Sequence, residues 1–394
     1  SMWYRLDQSN LGDMNLGNST VVTIVAPSET GFEIGKYYYA VVAPNKFRNG
    51  VIIRYYKNDK VATLLKSQPI VFKEGVFKRL YAQDSGLEFK DVHSKAALSG
   101  YIFPYGTDES TITEIIFHVN SDKTTDDYIN YGYAGYEIVY REQIGSVMHF
   151  YTCADKYEIR DASCMFRYCS SLKQLDLSSW DTSICSNMRE LFNGCHSLET
   201  LDLSGFNTAN VKDMANMFNN CYSLKYVNIE NFNTSNVEDM MFMFSDCWLL
   251  ENIDLTKFKT GKVKNMDYMF SNCKSLKMAD MSHCDFEALV WAEDMFSNCY
   301  SLKEVNFPHT SSPKLTHMSS MFWKCYSLNK VSFNGLTTTN VESFKYLFGD
   351  CSALKSLDLN NFDTSKATSL YVYRMLEFVK IGFVKFQYNG SFRY

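Results

Sequence analysis

Cysteine and histidine are the residues in this 394-residue chain whose chemistry needs testing first: there are 12 of one and 7 of the other. Thiols can bridge, hold zinc or act as nucleophiles, and spacing decides among these. Cys169, Cys195, Cys221, Cys247, Cys273, Cys299, Cys325 and Cys351 recur every 26 residues, without insertion or deletion. A constant offset places identical side chains in one column. Parallel side chains do not present the disulfide torsion. A stacked column does not surround a metal, and no C-x-x-C pair occurs. The eight are read as small buried hydrophobes, a core ladder. Cys153, Cys164, Cys185 and Cys284 fall off the pattern. Cys284 stands at a Phe position and is assigned to the core. For Cys153 and Cys164, a bridge and two free thiols both stay open. The histidines, at 93, 118, 149, 196, 283, 309 and 317, show no metal-ligand spacing and read as surface residues. No nucleophile elbow, H-E-x-x-H, phosphate loop or G-x-G-x-x-G is present. The chain is read as not an enzyme, with no metal and no cofactor.

The elements that position this column follow from its flanks. With each ladder cysteine as position zero, position +3 is Leu in all eight copies, from Leu172 to Leu354. Positions +6 and +8 are mostly apolar, as in Leu201 and Leu203, and +11 is usually aromatic, as in Phe206 and Phe232. The alternation predicts a strand with one buried face. Ser235 stands three residues before Glu238, a capping-box spacing, and Val237, Met240, Met243 and Phe244 predict one face of a short helix. Asn220, Asp246, Asn272 and Asn298, with Gly194, suit the left-handed turn that closes it. Each unit therefore reads as strand, turn, short helix, turn. Stacked units would bury what one unit cannot.

Three columns face outward in this reading. Position +4 carries mostly Lys, with Glu199 and Glu251, and position +7 mostly Asp. Together they read as a solvated, charge-laced face, with a polar ligand face or weak calcium site as the other option. Position +1 holds Ser170, His196, Tyr222, Trp248, Lys274, Tyr300, Tyr326 and Ser352. Large aromatics are frequent interface anchors. Tyr222, Trp248, Tyr300 and Tyr326 are the candidate ligand-binding residues, with a self-packing ladder as the structural alternative.

"CSSLKQLDLSSWDTS" at 169–183 and "CSALKSLDLNNFDTS" at 351–365 carry a consensus that closely resembles the BspA-like leucine-rich repeats. Repeats of that family are typical of bacterial surface proteins, notably in Bacteroidetes, and are associated with adhesion. The resemblance implies an exported, outer-membrane-anchored lipoprotein that binds an extracellular protein or glycan. A glycan-capture role in nutrient uptake is the alternative function. "GKYYYAVVAPNKFRNGVIIRYY" loosely resembles fimbrillin-like domains of similar surface proteins.

The rest of the chain supplies the frame. Strand-like runs between turn residues predict an N-terminal antiparallel β-sandwich over 3–135. Residues 136–168 are expected to form a linker and cap, 169–370 an α/β leucine-rich-repeat solenoid, and 371–394 a C-terminal cap. The fold class is thus mixed. A net charge of −5 argues against nucleic acid as a partner. No apolar run is long enough to span a bilayer. Ser1-Met2 reads as an expression remnant, with a natural leader expected upstream.

Overall fold

In the computed structural model the described residues are 95–121, 123–129, 137–360, 362–367 and 374–377, with short strands before residue 95 and at 383–385 described by their pairing. The chain divides into two compact units. One comprises Ser1–Ala97, Phe117–Gln143 and His149–Tyr157; the other comprises Leu98–Ile116, Ile144–Met148 and Glu158–Tyr394.

In the first unit, Val51–Lys57 pairs antiparallel with Lys60–Lys66. Val21–Thr23 joins Val51–Lys57 in parallel. The expected antiparallel sandwich is corrected to that extent: the described sheet is mixed. Most of the runs at 36–44 and 69–82 lie outside the described residues. Between Phe117 and Tyr157 the core is aromatic. Phe117 stacks on Phe150 at 5.1 Å, and the buried Tyr157 hydroxyl donates to the carbonyls of His118 and Phe150 at 2.8 and 3.0 Å.

The second unit holds the repeats. They keep the 26-residue register: Thr200–Asp202 pairs in parallel with Tyr226–Asn228, and Met278–Asp280 with Glu304–Asn306 and then Lys330–Ser332. Parallel bridges Asn187↔Asp213↔Asp239↔Asn265↔Trp291↔His317↔Ser343 run along another side of the unit. The expected α/β leucine-rich solenoid is nevertheless corrected. Among the described residues there is no α-helix; the region is strand and turn. The strands are two or three residues long and form separate small sheets, none of them closed. The unit after Cys247 contributes no strand at all.

The helix fails for a backbone reason. The six residues before each ladder cysteine form successive turns. Two of the six have positive φ in every copy. At position −5 these include Glu190, Phe242 and Tyr268 (φ 56 to 58), and at −1 Asn220, Asp246 and Asn272 (φ 59 to 61). A left-handed residue cannot continue a right-handed helix and costs roughly 1–2 kcal/mol. The conformation is offset by bonds between units. Met240, Phe242, Phe244 and Asp246 donate their N–H groups to the carbonyls of Asn265, Asp267, Met269 and Ser271 at 2.8–3.0 Å. The amides that an α-helix would turn back along its own axis are here directed to the next unit. The capping box fails with the helix: Ser235 N–H donates to Asn233, heading a turn, and Glu238 pairs with Lys264 at 2.6 Å.

The core follows the register. Phe166, Phe192, Phe218, Phe244, Phe270, Phe296, Phe322 and Phe348 form one continuous stack at 5.1–5.7 Å. Each buried ring contributes roughly 1.5–3 kcal/mol by burial, and each stacked pair about 0.5–1.5 kcal/mol more. The pairs Gln174–Leu175 with Glu114–Ile115, and Ser356–Asp358 with Phe383–Lys385, put a non-repeat strand on the first and last repeat strands.

Candidate functional site

The ladder cysteines are fully buried and free, as are Cys185 and Cys284 apart from a trace of exposure at the latter. Their role is more specific than filling space. Cys221 Sγ donates to the Phe192 carbonyl at 3.3 Å, Cys273 to Phe244 at 3.1 Å and Cys351 to Phe322 at 3.0 Å. The pattern holds from Cys195 onward. Each thiol thereby ties its unit to the stacked ring of the unit before it. Burial pushes the Cys221 and Cys351 thiols up to about 12, which removes the thiolate and with it nucleophilic character. Cys169, the first rung, is buried likewise. Cys153 and Cys164 are half-buried, and no disulfide joins them.

The outward Asp column has a local task. Asp202, Asp254 and Asp280 each accept the backbone N–H two residues on, at 2.9–3.0 Å, closing the turn that follows position +7. That bond holds the Asp202 and Asp254 carboxyls below the usual range, and at Asp280 the Ser282 hydroxyl, then the same amide, does so. In the Lys-rich column, Lys225 pairs with Glu199 at 2.7 Å.

A buried threonine column was not singled out by its residue type, although Thr recurs in the consensus. Thr208 Oγ1 donates to the Asn233 carbonyl at 3.0 Å and accepts Asn233 N–H at 2.7 Å. Thr182, Thr234, Thr260 and Thr338 repeat this exchange. A second feature escaped the sequence in the first unit. His118 Nε2 and His149 Nδ1 lie 3.0 Å apart, and His118 stacks on Tyr151 at 4.4 Å. The 31-residue separation of the two histidines gave no sign of it. Burial, then His149, lowers the His118 pKa.

The position +1 residues come together as an exposed column. His196 stacks on Tyr222 at 4.6 Å and Tyr222 on Trp248 at 4.4 Å. The Lys274 ammonium lies 3.5 Å from the centre of the Trp248 ring. Tyr300 stacks on Tyr326 at 5.2 Å. Trp248, Tyr300 and Tyr326 are 36%, 37% and 43% exposed, while Tyr222 is half-buried. The left-handed residue at −1 orients the ring at +1: the Tyr222 hydroxyl donates to Asn220 Oδ1 and Trp248 Nε1 to Asp246 Oδ1, both at 3.1 Å. Gly194 takes this place in its own unit, at φ +79, and a Cβ there would meet the Tyr168 ring at 2.7 Å. From Tyr222 to Trp248 both ring faces are covered by neighbours, while Tyr300 and Tyr326 cover one face of each other. Such a surface can bind without turnover.

A fixed period, parallel register and stacked columns define a tandem-repeat protein. The family whose model matches is described as "Mycoplasma protein of unknown function, DUF285", over residues 152–227, 202–308 and 305–379, and the chain belongs to that family. No curated protein matches it.

Proposed function

We propose that this chain is a non-enzymatic, surface-displayed adhesion protein that binds an extracellular macromolecule through the column at position +1. The observation that carries this reading is the run from His196 to Tyr326, solvent-facing yet held in fixed orientation. Pre-set aromatic side chains lose little freedom on binding, and Tyr and Trp are the commonest anchors of protein interfaces. Membership of a repeat family, and the resemblance to BspA-like surface repeats, support export and anchoring at the cell surface. Between the two ligand classes, the geometry favours protein. Sugars stack on open ring faces, whereas these rings are largely stacked on one another and offer edges and hydroxyl oxygens.

The test is binding of the full chain to a panel of extracellular-matrix proteins and to a glycan array. The comparison is a variant carrying Tyr222→Ala, Trp248→Ala, Tyr300→Ala and Tyr326→Ala. Loss of protein binding, with an unchanged circular dichroism spectrum, is expected. Unchanged binding by the folded variant dismisses the column. Binding confined to the glycan array moves the chain to the nutrient-capture alternative.

A further inference from the structure

The two halves of the column differ in charge. From Cys169 to Asn298 the sequence holds ten Lys and Arg against eighteen Asp and Glu, a net −8. From Cys299 to Asp350 it holds five against three, a net +2. The change falls where the position +7 column loses its carboxylates: Asp280 is followed by Asn306 and Ser332 before Asp358. The position +4 column changes with it. Lys225 and Lys277 are each ion-paired to a glutamate of the preceding unit. Lys303 follows another lysine, is exposed, and makes no ion pair among the described residues. Its backbone is fixed, with its N–H bonded to the Lys277 carbonyl at 2.9 Å and its own carbonyl accepting Asn329 N–H at 3.0 Å. Tyr300 and Tyr326 belong to these same two units and are the more exposed pair of the column. Lys274, on the Trp248 face, stands in the column just before them.

We propose that the Tyr300–Tyr326 end of the column, with Lys303 and Lys274, docks an acidic peptide segment of a protein partner. This rests on the binding role proposed for the column and adds the chemistry of the ligand. The tyrosine edges supply apolar contact and hydroxyls, and the ammonium groups meet carboxylates where the position +7 column carries no aspartate. Charge complementarity of this kind sets partner choice and salt dependence.

The probe is a fluorescein-labelled synthetic decapeptide alternating Glu with Tyr and Leu, followed by fluorescence anisotropy against the full chain. Its all-Gln analogue and a heparin-derived oligosaccharide serve as comparators. The acidic peptide is expected to bind, to weaken as salt rises, and to exceed the Gln analogue about tenfold, the usual scale of a desolvated charge contact. Tyr300→Ala with Tyr326→Ala, and separately Lys303→Gln, should each weaken it about tenfold, while Lys212→Gln, at an exposed lysine outside the column, stays within about twofold. Lys303 is exposed, so its substitution reads the site even if the double tyrosine variant misfolds. Equal affinity for the Gln analogue, an equal loss from Lys212→Gln, or binding of the oligosaccharide alone overturns the proposal. If the peptide fails while column-dependent binding to a matrix protein persists, this inference falls and the broader role stands.

Discussion

The donor role of the ladder thiols can be separated from mere filling of space at Cys273. Its Sγ lies 3.1 Å from the Phe244 carbonyl, and Cys273 itself is fully buried. Phe244 O also accepts the Cys247 amide at 3.3 Å, so removing the thiol does not orphan the carbonyl. Cys273→Ala therefore loses one sulfur's worth of burial, a small cavity and a weak bond, together about 1–2 kcal/mol. Cys273→Ser decides the matter. If the site only required a small apolar group, a buried hydroxyl would cost roughly 1–3 kcal/mol more than alanine. With an acceptor already in line, the hydroxyl donates to Phe244 and recovers about 1 kcal/mol. The expected order of stability is thus wild type, then serine equal to or above alanine. Urea unfolding of the full chain reads it as a shift of midpoint at constant slope. Serine falling more than about 1 kcal/mol below alanine would refute the donor assignment.

Other consequences are equally open to measurement. Thr234→Val leaves the Lys259 N–H and carbonyl without their buried partner and should cost about 2–4 kcal/mol; Thr234→Ser, which keeps the hydroxyl, should cost under about 1 kcal/mol by urea titration. Asn272→Gly should be close to neutral while Asn272→Val, at φ 61, loses roughly 1–2 kcal/mol. Burial raises Asp267 and Asp294 to about 6. Their neutral forms are favoured in the folded chain, so their stabilisation is present below about pH 4 and fades as pH rises through 6. The melting temperature should therefore rise from pH 7 to pH 5, and Asp267→Asn with Asp294→Asn should flatten that rise. On thiol labelling of the folded chain, Cys153 and Cys164 should react first and the eight ladder thiols only on unfolding.

The register was legible in the sequence because it is carried by side chains that must be buried. Leu172 to Leu354, the cysteines and the Phe stack repeat without slippage, and each lands in the core. The helix was misread because Val237, Met240, Met243 and Phe244 are buried at spacings that successive turns also satisfy. The determinant was the backbone at position −5, where Phe242, Tyr268 and Glu190 adopt positive φ. Those residue types carry no local signal for it, and inter-unit bonding alone holds them there. At −1 the Asn and Asp residues did carry the signal, although the turn they make closes no helix. The column at position +1 was legible as a column, and its tight ring stacking is what the three-dimensional register adds. Asp267 shows a dependence that no single unit contains. Asn187, Asp213, Asp239 and Asn265 each accept the amide two residues on, at 2.9–3.0 Å. Trp291 cannot, and Asp267 of the preceding unit accepts the Glu293 amide instead, at 2.7 Å.

Both outer repeat strands are paired to segments of unrelated sequence, Glu114–Ile115 at one end and Phe383–Lys385 at the other. The first and last repeat strands are thus each covered by a non-repeat strand, and a further copy would have to displace that strand to pair with them directly. Gain or loss of a unit in the interior leaves both closures intact. Gene-level duplication can in this way lengthen or shorten the array in fixed increments while both terminal pairings are kept.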